Sequence, residues 1–332
     1  MRLSRALTPA FLLAPLLVTD GLAQDAPNWC DLLPRPAHRE LERVDAADPW
    51  FEVYRVGDDI FALAEPYQFQ EVISYLIIGS QRALLFDTGL GIGPIARVVG
   101  ELTDLPVTIL NSHTHFDHVG GNADFDRILA MDTEYTRANA AGFSHTVVAG
   151  EIEPQALCRG VPPGFDPDRY QTRAYGPSEF IEAGHTIDLG GRELRVLHVP
   201  GHTPDAVALL DPVTESLFTG DSFYEGPIWL LAPETDLAAF ESSVGRLADL
   251  VPNLRTLHPA HNVAVSPPEM LLRLRDAIVS IRAGTAESTE GAGGAVTFPF
   301  DGFSILTSGA ALSAEPGDHP SGGSGLERTT VR

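Results

Sequence analysis

The chain has 332 residues, 44% of them apolar, and a formal net charge of −23. That length and apolar share fit a globular protein of one large domain or two small ones, with ample material for a buried core. So acidic a surface repels phosphate backbones, which argues against a nucleic-acid partner, and it keeps an exported protein soluble.

In chain order, the first element is a leader. The opening "MRLSRALTPAFLLAPLLVTDGLAQDAP" carries Arg2 and Arg5, then an apolar run, then Gly21-Leu22-Ala23, with small residues at the two positions a signal peptidase inspects. Residues 1–23 are therefore expected to be a signal peptide cut near Ala23, sending the protein to the periplasm or outside the cell. The run is shorter than the roughly 20 apolar residues a span requires, so no stable membrane insertion is expected. Export would permit the two cysteines, Cys30 and Cys158, to pair, and the sequence leaves both outcomes open.

Residues 24–48, rich in Pro and Asp, read as a loose lead into a folded domain over 49–312. "FEVYRV", "IFALAE", "VISYLIIG" and "RALLFDTG" are apolar runs separated by Gly-Asp or Gly-Ser turns and read as successive strands. A helical pattern covers Ile92 to Leu102, and "PVTILNSH" reads as a buried strand; strand, helix and strand suggest a βαβ unit in an α/β fold. From Phe143 to Phe180 periodicity fails, which marks a long insertion (143–180), and loops of that length are usually functional or disordered.

Regularity returns with "HTIDLGGRELRVLHVPGHT", where Gly190-Gly191 reads as a hairpin turn, and with "AVALLDP" and "ESLFTGD". Leu237, Phe240, Val244 and Leu247 mark one helical face. A second helix has Ser266 as expected N-cap, Pro267 at its first position and Glu269 three residues on from the cap. "FDGFSILTS" reads as a strand, and residues 313–332 have almost nothing to bury and read as a disordered tail. "LLFDTG" before the strand leading to His113 is weakly echoed by "LFTGD" before the one leading to "HPAH", a hint of two similar halves.

The chemistry is concentrated in "NSHTHFDHVGGN", residues 111–122. In an extended segment residues i and i+2 face the same side, so His113 and His115 can grip one ion, while Asp117 and His118 follow at the turn and can face a second. This His-x-His-x-Asp-His pattern resembles that of the metallo-β-lactamase superfamily, and the remaining motifs of that family occur in the right order. "VPGHTP" supplies His202, "LFTGDS" supplies Asp221, "LHPAHN" supplies His261, and Asp87 in "FDTG" matches the aspartate that orients a ligand imidazole.

The resemblance implies a four-layer αββα sandwich of two mixed sheets with helices on the outer faces. It implies His113, His115 and His202 on one ion, Asp117, His118 and His261 on the other, and Asp221 between them. Two divalent ions are expected, with Zn²⁺ preferred for a nitrogen and carboxylate set without cysteine, and iron or manganese as alternatives. A hydroxide shared by two ions would be available near neutral pH and would attack a polarised carbonyl. His198 and His258 compete for the roles of His202 and His261, but read as ordinary hydrogen-bonded histidines, because the latter pair occupy turns beyond strand ends. His38 and His319 read as surface residues, and neither His145 nor His185 has a partner at a telling spacing.

A bridging aspartate is usual in thioesterases such as glyoxalase II, in lactonases and in phosphodiesterases of this family, and mostly missing from true β-lactamases. A thiolate also leaves unaided, with a conjugate acid of pKa about 8.5, whereas a lactam nitrogen needs a proton. The expectation is an exported dinuclear hydrolase of an ester, thioester or lactone of a small acyl substrate, with Asp117, Asp221 and Tyr224 nearest the reacting bond. Tyr224 would hydrogen-bond the oxyanion or leaving group, and Trp229, Tyr67 and Phe69 would wall the substrate. "PGHTPDAVAL" departs from the commoner family form, which has Gly after the proline, and resembles a branch that includes acyl-thioester hydrolases. The rivals are a β-lactamase, a single-iron persulfide dioxygenase, and a non-catalytic metal-binding protein. A flavodiiron enzyme is disfavoured, having Glu where this chain has His115.

Overall fold

The computed structural model describes residues 29–46 and 48–313. The expected signal peptide, His319 and all of the expected tail but Ser313 lie outside the described residues.

The first sheet has eight strands in sequence order: β1 (Glu42–Val44), β2 (Glu52–Gly57), β3 (Ile60–Ala64), β4 (Ile73–Ile78), β5 (Ala83–Phe86), β6 (Val107–Leu110), β7 (Ile128–Met131) and β8 (Glu179–Ile181). Strands β1 to β5 pair antiparallel and β5 to β8 parallel. A second sheet, in the order β14-β12-β11-β10-β9, contains β9 (Thr186–Asp188), β10 (Glu193–His198), β11 (Val207–Asp211), β12 (Ser216–Gly220) and β14 (Thr256–Pro259). Among the described residues, seven α-helices complete the frame: α1 (Ile95–Leu102), α2 (Phe116–Val119), α3 (Glu134–Asn139), α4 (His145–Val148), α5 (Leu237–Ala248), α6 (Glu269–Arg282) and α7 (Gly309–Ser313).

Period-2 alternation sorts side chains between layers. On β4 and β5, Ile73, Tyr75, Ile77, Leu84 and Phe86 face the second sheet, where they meet Val196, Leu209 and Phe218. Leu76 and Leu85 face the other way, onto Ile95, Val98 and Val99 of α1. The outer face of the second sheet packs Leu217 and Leu257 against Phe240, Val244 and Leu247 of α5 and Leu271 and Leu274 of α6. Each fully buried Leu or Phe contributes about 1.5–3 kcal/mol, so the three apolar layers hold the sandwich together. This is the αββα arrangement, and none of the described helices is long and apolar enough to cross a membrane.

Beside the two sheets of the sandwich stands a small third one, of β13 (Gly226–Leu230), β15 (Thr289–Glu290), β16 (Ala295–Phe300) and β17 (Phe303–Ser308). Three sequence expectations are corrected. The 24–48 lead is not loose where it is described: it supplies β1, and Arg35 donates to both carboxylate oxygens of Glu71 at 2.7 and 2.5 Å. His38 is buried rather than at the surface, with Nε2 accepting from the Ala264 amide. Ser266 does not cap α6. Its main chain bridges Leu257 in both directions, its hydroxyl donates to Glu225 at 2.6 Å, and α6 starts after Pro268 with no side-chain cap.

The insertion is irregular but packed. Val148, Ile152 and Tyr170 bury against the outer face of the first sheet, and Tyr170 donates to the Leu90 carbonyl. Cys30 and Cys158 form a disulfide that ties the insertion to the N-terminal segment, and Gln68 bridges Leu157 alongside it.

Candidate metal centre

Two parallel strand pairs, β5/β6 in the first sheet and β12/β14 in the second, deliver the polar residues at their C-terminal ends. Asp87 and the 111–118 segment follow the first pair, and Asp221 and His261 follow the second. This is the structural content of the sequence echo. His115 is extended (φ −68°, ψ 156°), and the chain then turns into α2, which aims Asp117 and His118 back at the strand ends. His202 sits on a turn where Gly201 has φ +143° and where a Cβ would lie 2.3 Å from the Phe240 backbone; only glycine lets the turn rest on α5.

All seven expected ligands converge. Three overlapping donor groups, His113/His115/His202, His113/His118/Asp221 and Asp117/His118/His261, each have their donor atoms within 4.8 Å of one another. His115 Nδ1 lies 2.8 Å from His113 Nε2 and 3.1 Å from His202 Nε2. Asp221 divides its oxygens: Oδ2 faces His202 Nε2 at 3.4 Å, and Oδ1 faces His261 Nε2 at 3.1 Å and His118 Nε2 at 3.4 Å.

The outer nitrogens of four imidazoles are engaged, which fixes which nitrogen points inward. His118 Nδ1 donates to Asp87 Oδ2 at 2.9 Å, His202 Nδ1 to the Trp229 carbonyl at 2.9 Å, His261 Nδ1 to the Gln70 carbonyl at 2.8 Å, and His115 Nε2 to Glu234 Oε1 at 2.9 Å. His118 Nε2 and Asp221 Oδ1 are buried with no hydrogen-bond partner among the described residues. Buried unpartnered donor atoms facing each other are what a cation-binding cluster leaves when the cation is taken away, so the residues fit a divalent metal.

Charge separates the two ends of the cluster. Burial and the neighbouring imidazoles hold His113 well below the usual histidine range, and burial holds His202 at about 4, so both present neutral lone pairs. Burial also opposes charge on His118, but Asp117, Asp87 and Asp221 override it and hold its proton well above the usual range. A cation is therefore favoured where the carboxylates gather.

The other expected residues divide. Tyr224 packs its ring at a tilt against His261, with centroids 4.7 Å apart, but its hydroxyl donates to the Pro227 carbonyl and accepts from the Trp229 amide. Its one proton is given to the Pro227 carbonyl and not to the His and Asp cluster. Trp229 and Phe69 are exposed, whereas Tyr67 donates to Glu52 and lies under the Arg159 guanidinium. His258 is buried against Phe218 with Nδ1 on the Ala264 carbonyl, and His198 Nε2 meets the Pro204 carbonyl. His145 contacts the Tyr170 carbonyl within the insertion.

Sequence reading missed Glu234 and Asp205. Buried Asp205 accepts from Thr114 at 2.6 Å, Thr136 at 3.0 Å and Thr203 at 2.7 Å, binding the two ligand loops together. Its signal was visible as the residue that replaces glycine in "PGHTPD". Glu234 stands 119 residues from His115, with no motif to announce it.

A buried His and Asp cluster at the strand ends of an αββα sandwich defines a metallo-hydrolase. Residues 70–285 match the model of the metallo-beta-lactamase superfamily, and the chain belongs to that superfamily. The chain is similar to acyl-coenzyme A thioesterase MBLAC2 of Homo sapiens, at 29% identity over 216 residues that cover 61% of this chain and 77% of that protein. It is also similar to hydroxyacylglutathione hydrolase of Synechococcus sp. (strain JA-3-3Ab), at 32% identity over 133 residues, covering 40% of this chain and 41% of the relative. Among solved structures, the sec-alkylsulfatase Pisa1 from Pseudomonas sp. shares the fold with a TM-score of 0.54 at 18% identity, over 70% of this chain and 42% of that one.

Proposed function

We propose that this protein is an exported thioesterase acting on a small acyl substrate, with one divalent ion held by His113, His115 and His202, a second by Asp117, His118 and His261, and Asp221 shared. The observation that carries the dinuclear reading is the division of the Asp221 oxygens between the two donor groups. Two such ions, zinc for preference, would supply an acidified water, of pKa about 7, and a Lewis-acidic contact for the carbonyl of the scissile bond. The chain's own contribution is orientation: Asp87, Gln70, Trp229 and Glu234 hold the imidazoles so that lone pairs face inward.

Leaving-group chemistry supports a thioester. The Tyr224 proton is already donated to Pro227, so this hydroxyl offers none to a departing nitrogen, and a thiolate requires none. The names of the relatives at 29% and 32% identity agree, one an acyl-coenzyme A thioesterase and the other a hydroxyacylglutathione hydrolase. Export is supported by the paired cysteines, which suit an oxidising compartment.

The test is kcat/KM of the zinc-loaded protein on an acyl thioester, an aliphatic lactone and a chromogenic cephalosporin, with Asp221→Ala in parallel. We expect the thioester to lead and the variant to lose more than roughly a hundredfold, since both positions lose a ligand. Dominant cephalosporin turnover, or an Asp221→Ala enzyme at wild-type rate, would overturn the reading.

A further inference from the structure

Three imidazoles of the first donor group are held from behind by different partners. His202 rests on a main-chain carbonyl, and His113 Nδ1 lies 3.0 Å from the Ser112 hydroxyl. His115 is held by a carboxylate, Glu234, and that carboxylate is itself held.

Glu234 lies in the short connection between β13 and α5. Thr235 donates its hydroxyl to the His202 carbonyl, the Asp236 amide donates to the Gly201 carbonyl, and the Asp236 carboxylate accepts from the Ala238 and Ala239 amides at the start of α5. The backbone under Glu234 is thereby fixed to the His202 turn. From the other side Tyr135, on α3, donates to Glu234 Oε1 at 2.6 Å, the same oxygen that takes the His115 Nε2 proton. Glu234 and His115 side chains remain 21% and 18% exposed, so without Tyr135 the carboxylate could swing into solvent.

Helix α3 grips the ligand loop at two further points. Thr136 donates to Asp205, which also accepts from Thr114, and Asn139 donates to the Thr114 carbonyl at 3.0 Å. Thr114 separates His113 from His115. Three side chains of one six-residue helix therefore converge on one ligand segment.

Resting on the dinuclear reading above, we propose that Glu234, seated by Tyr135, is a positioning residue that fixes His115 in the Nε2–H tautomer and turns its Nδ1 lone pair to the first metal position. A neutral imidazole has one N–H, so a proton held by Glu234 at Nε2 leaves Nδ1 bare, facing His113 and His202 Nε2. The opposite tautomer would aim an N–H at the centre and could not ligate. The clamp touches no ligand of the second group that is not shared with the first.

The experiment is zinc titration of the full chain against a chromophoric chelator, resolving two affinities, together with the visible spectrum of the Co²⁺-substituted protein. Glu234→Ala should weaken one affinity by about 10–100-fold and leave the other within about threefold. Glu234→Gln, whose amide oxygen still accepts from Nε2, should recover part of the loss, and Tyr135→Phe should show a smaller loss at the same position. The Co²⁺ bands should shift for one position. Equal weakening of both positions, or no weakening in any of the three variants, overturns the proposal. A wild-type chain that takes up fewer than two ions overturns it together with the dinuclear reading, whereas absence of thioester turnover in a chain that binds two would overturn only the substrate.

Discussion

Behind the His113, His115 and His202 half of the centre stand two partly exposed groups, Tyr135 and Glu234, beside the buried Asp205 hub. Behind the Asp117, His118 and His261 half stand groups sunk in the fold. Asp87 is 1% exposed and spends one oxygen on His118 and the other on the Ser112 amide. Arg35 braces Glu71, next to Gln70, and, at 2.8 Å, Asn262 Oδ1, next to His261. Tyr135 and Glu234 act on geometry alone, while Asp87 is also part of the core, so metal retention and folding stability should separate at Glu234 and travel together at Asp87.

Asp87→Ala tests that contrast with the largest expected effect. The substitution removes the acceptor of His118 Nδ1 and leaves the buried Ser112 amide unpaired. Affinity at one position should fall about 10–100-fold, and the metal-free protein should lose about 1–3 kcal/mol against urea. Glu234→Ala should show the first effect without the second. If the urea midpoint of metal-free Asp87→Ala equals that of the wild type, the two halves are supported alike and the distinction is wrong.

The ligand residues were legible in the sequence because strand ends and turns present them at fixed short spacings: i and i+2 for His113 and His115, a Pro-rich turn for His202 and for His261. The layers were legible because β2 to β6 and α5 keep their periods, Phe240, Val244 and Leu247 facing inward as the 3.6 repeat requires. What pattern reading missed was made by long-range pairing. Glu234 meets His115 across 119 residues, and His38 is buried because Ala264, 226 residues away, needs an acceptor. Tyr224 was placed near the cluster correctly by its neighbour Asp221, but the direction of a hydroxyl depends on which carbonyl lies beside it, and only the β13 turn shows that. Ser266 failed for the converse reason, since a local cap signal lost to a bridge with Leu257.

Acid should loosen the segment that carries His261. Burial holds His38 down to about 4 and His258 likewise to about 4, and both grip Ala264, three residues after His261. The folded protein takes up these protons only near pH 4, the unfolded chain near 6.5, so the unfolded state binds more protons between those values. Stability present above pH 6.5 is therefore lost as pH falls toward 4, by up to about 3 kcal/mol for each histidine. His38→Gln keeps an acceptor for Ala264 without a titrating ring. The difference between its urea midpoint and that of the metal-free wild type should shift in its favour from pH 6.5 to 4; parallel curves would mean that His38 is not neutral in the fold.

Tyr224 is the residue on which both halves lean, and its removal should have the smallest effect on chemistry. Its ring packs at a tilt against His261, while its hydroxyl holds the Trp229 amide in the strand whose carbonyl receives His202. Tyr224→Phe keeps the ring and deletes two hydrogen bonds to backbone, leaving the Trp229 amide and the Pro227 carbonyl to find other partners. The expected loss is about 1–2 kcal/mol of stability, with kcat changed by less than about threefold at saturating zinc. A tenfold fall in kcat with stability and both zinc affinities intact would place the hydroxyl in the reaction after all. It would also mean that β13 releases it when substrate enters, so that Trp229, and with it His202, moves during turnover.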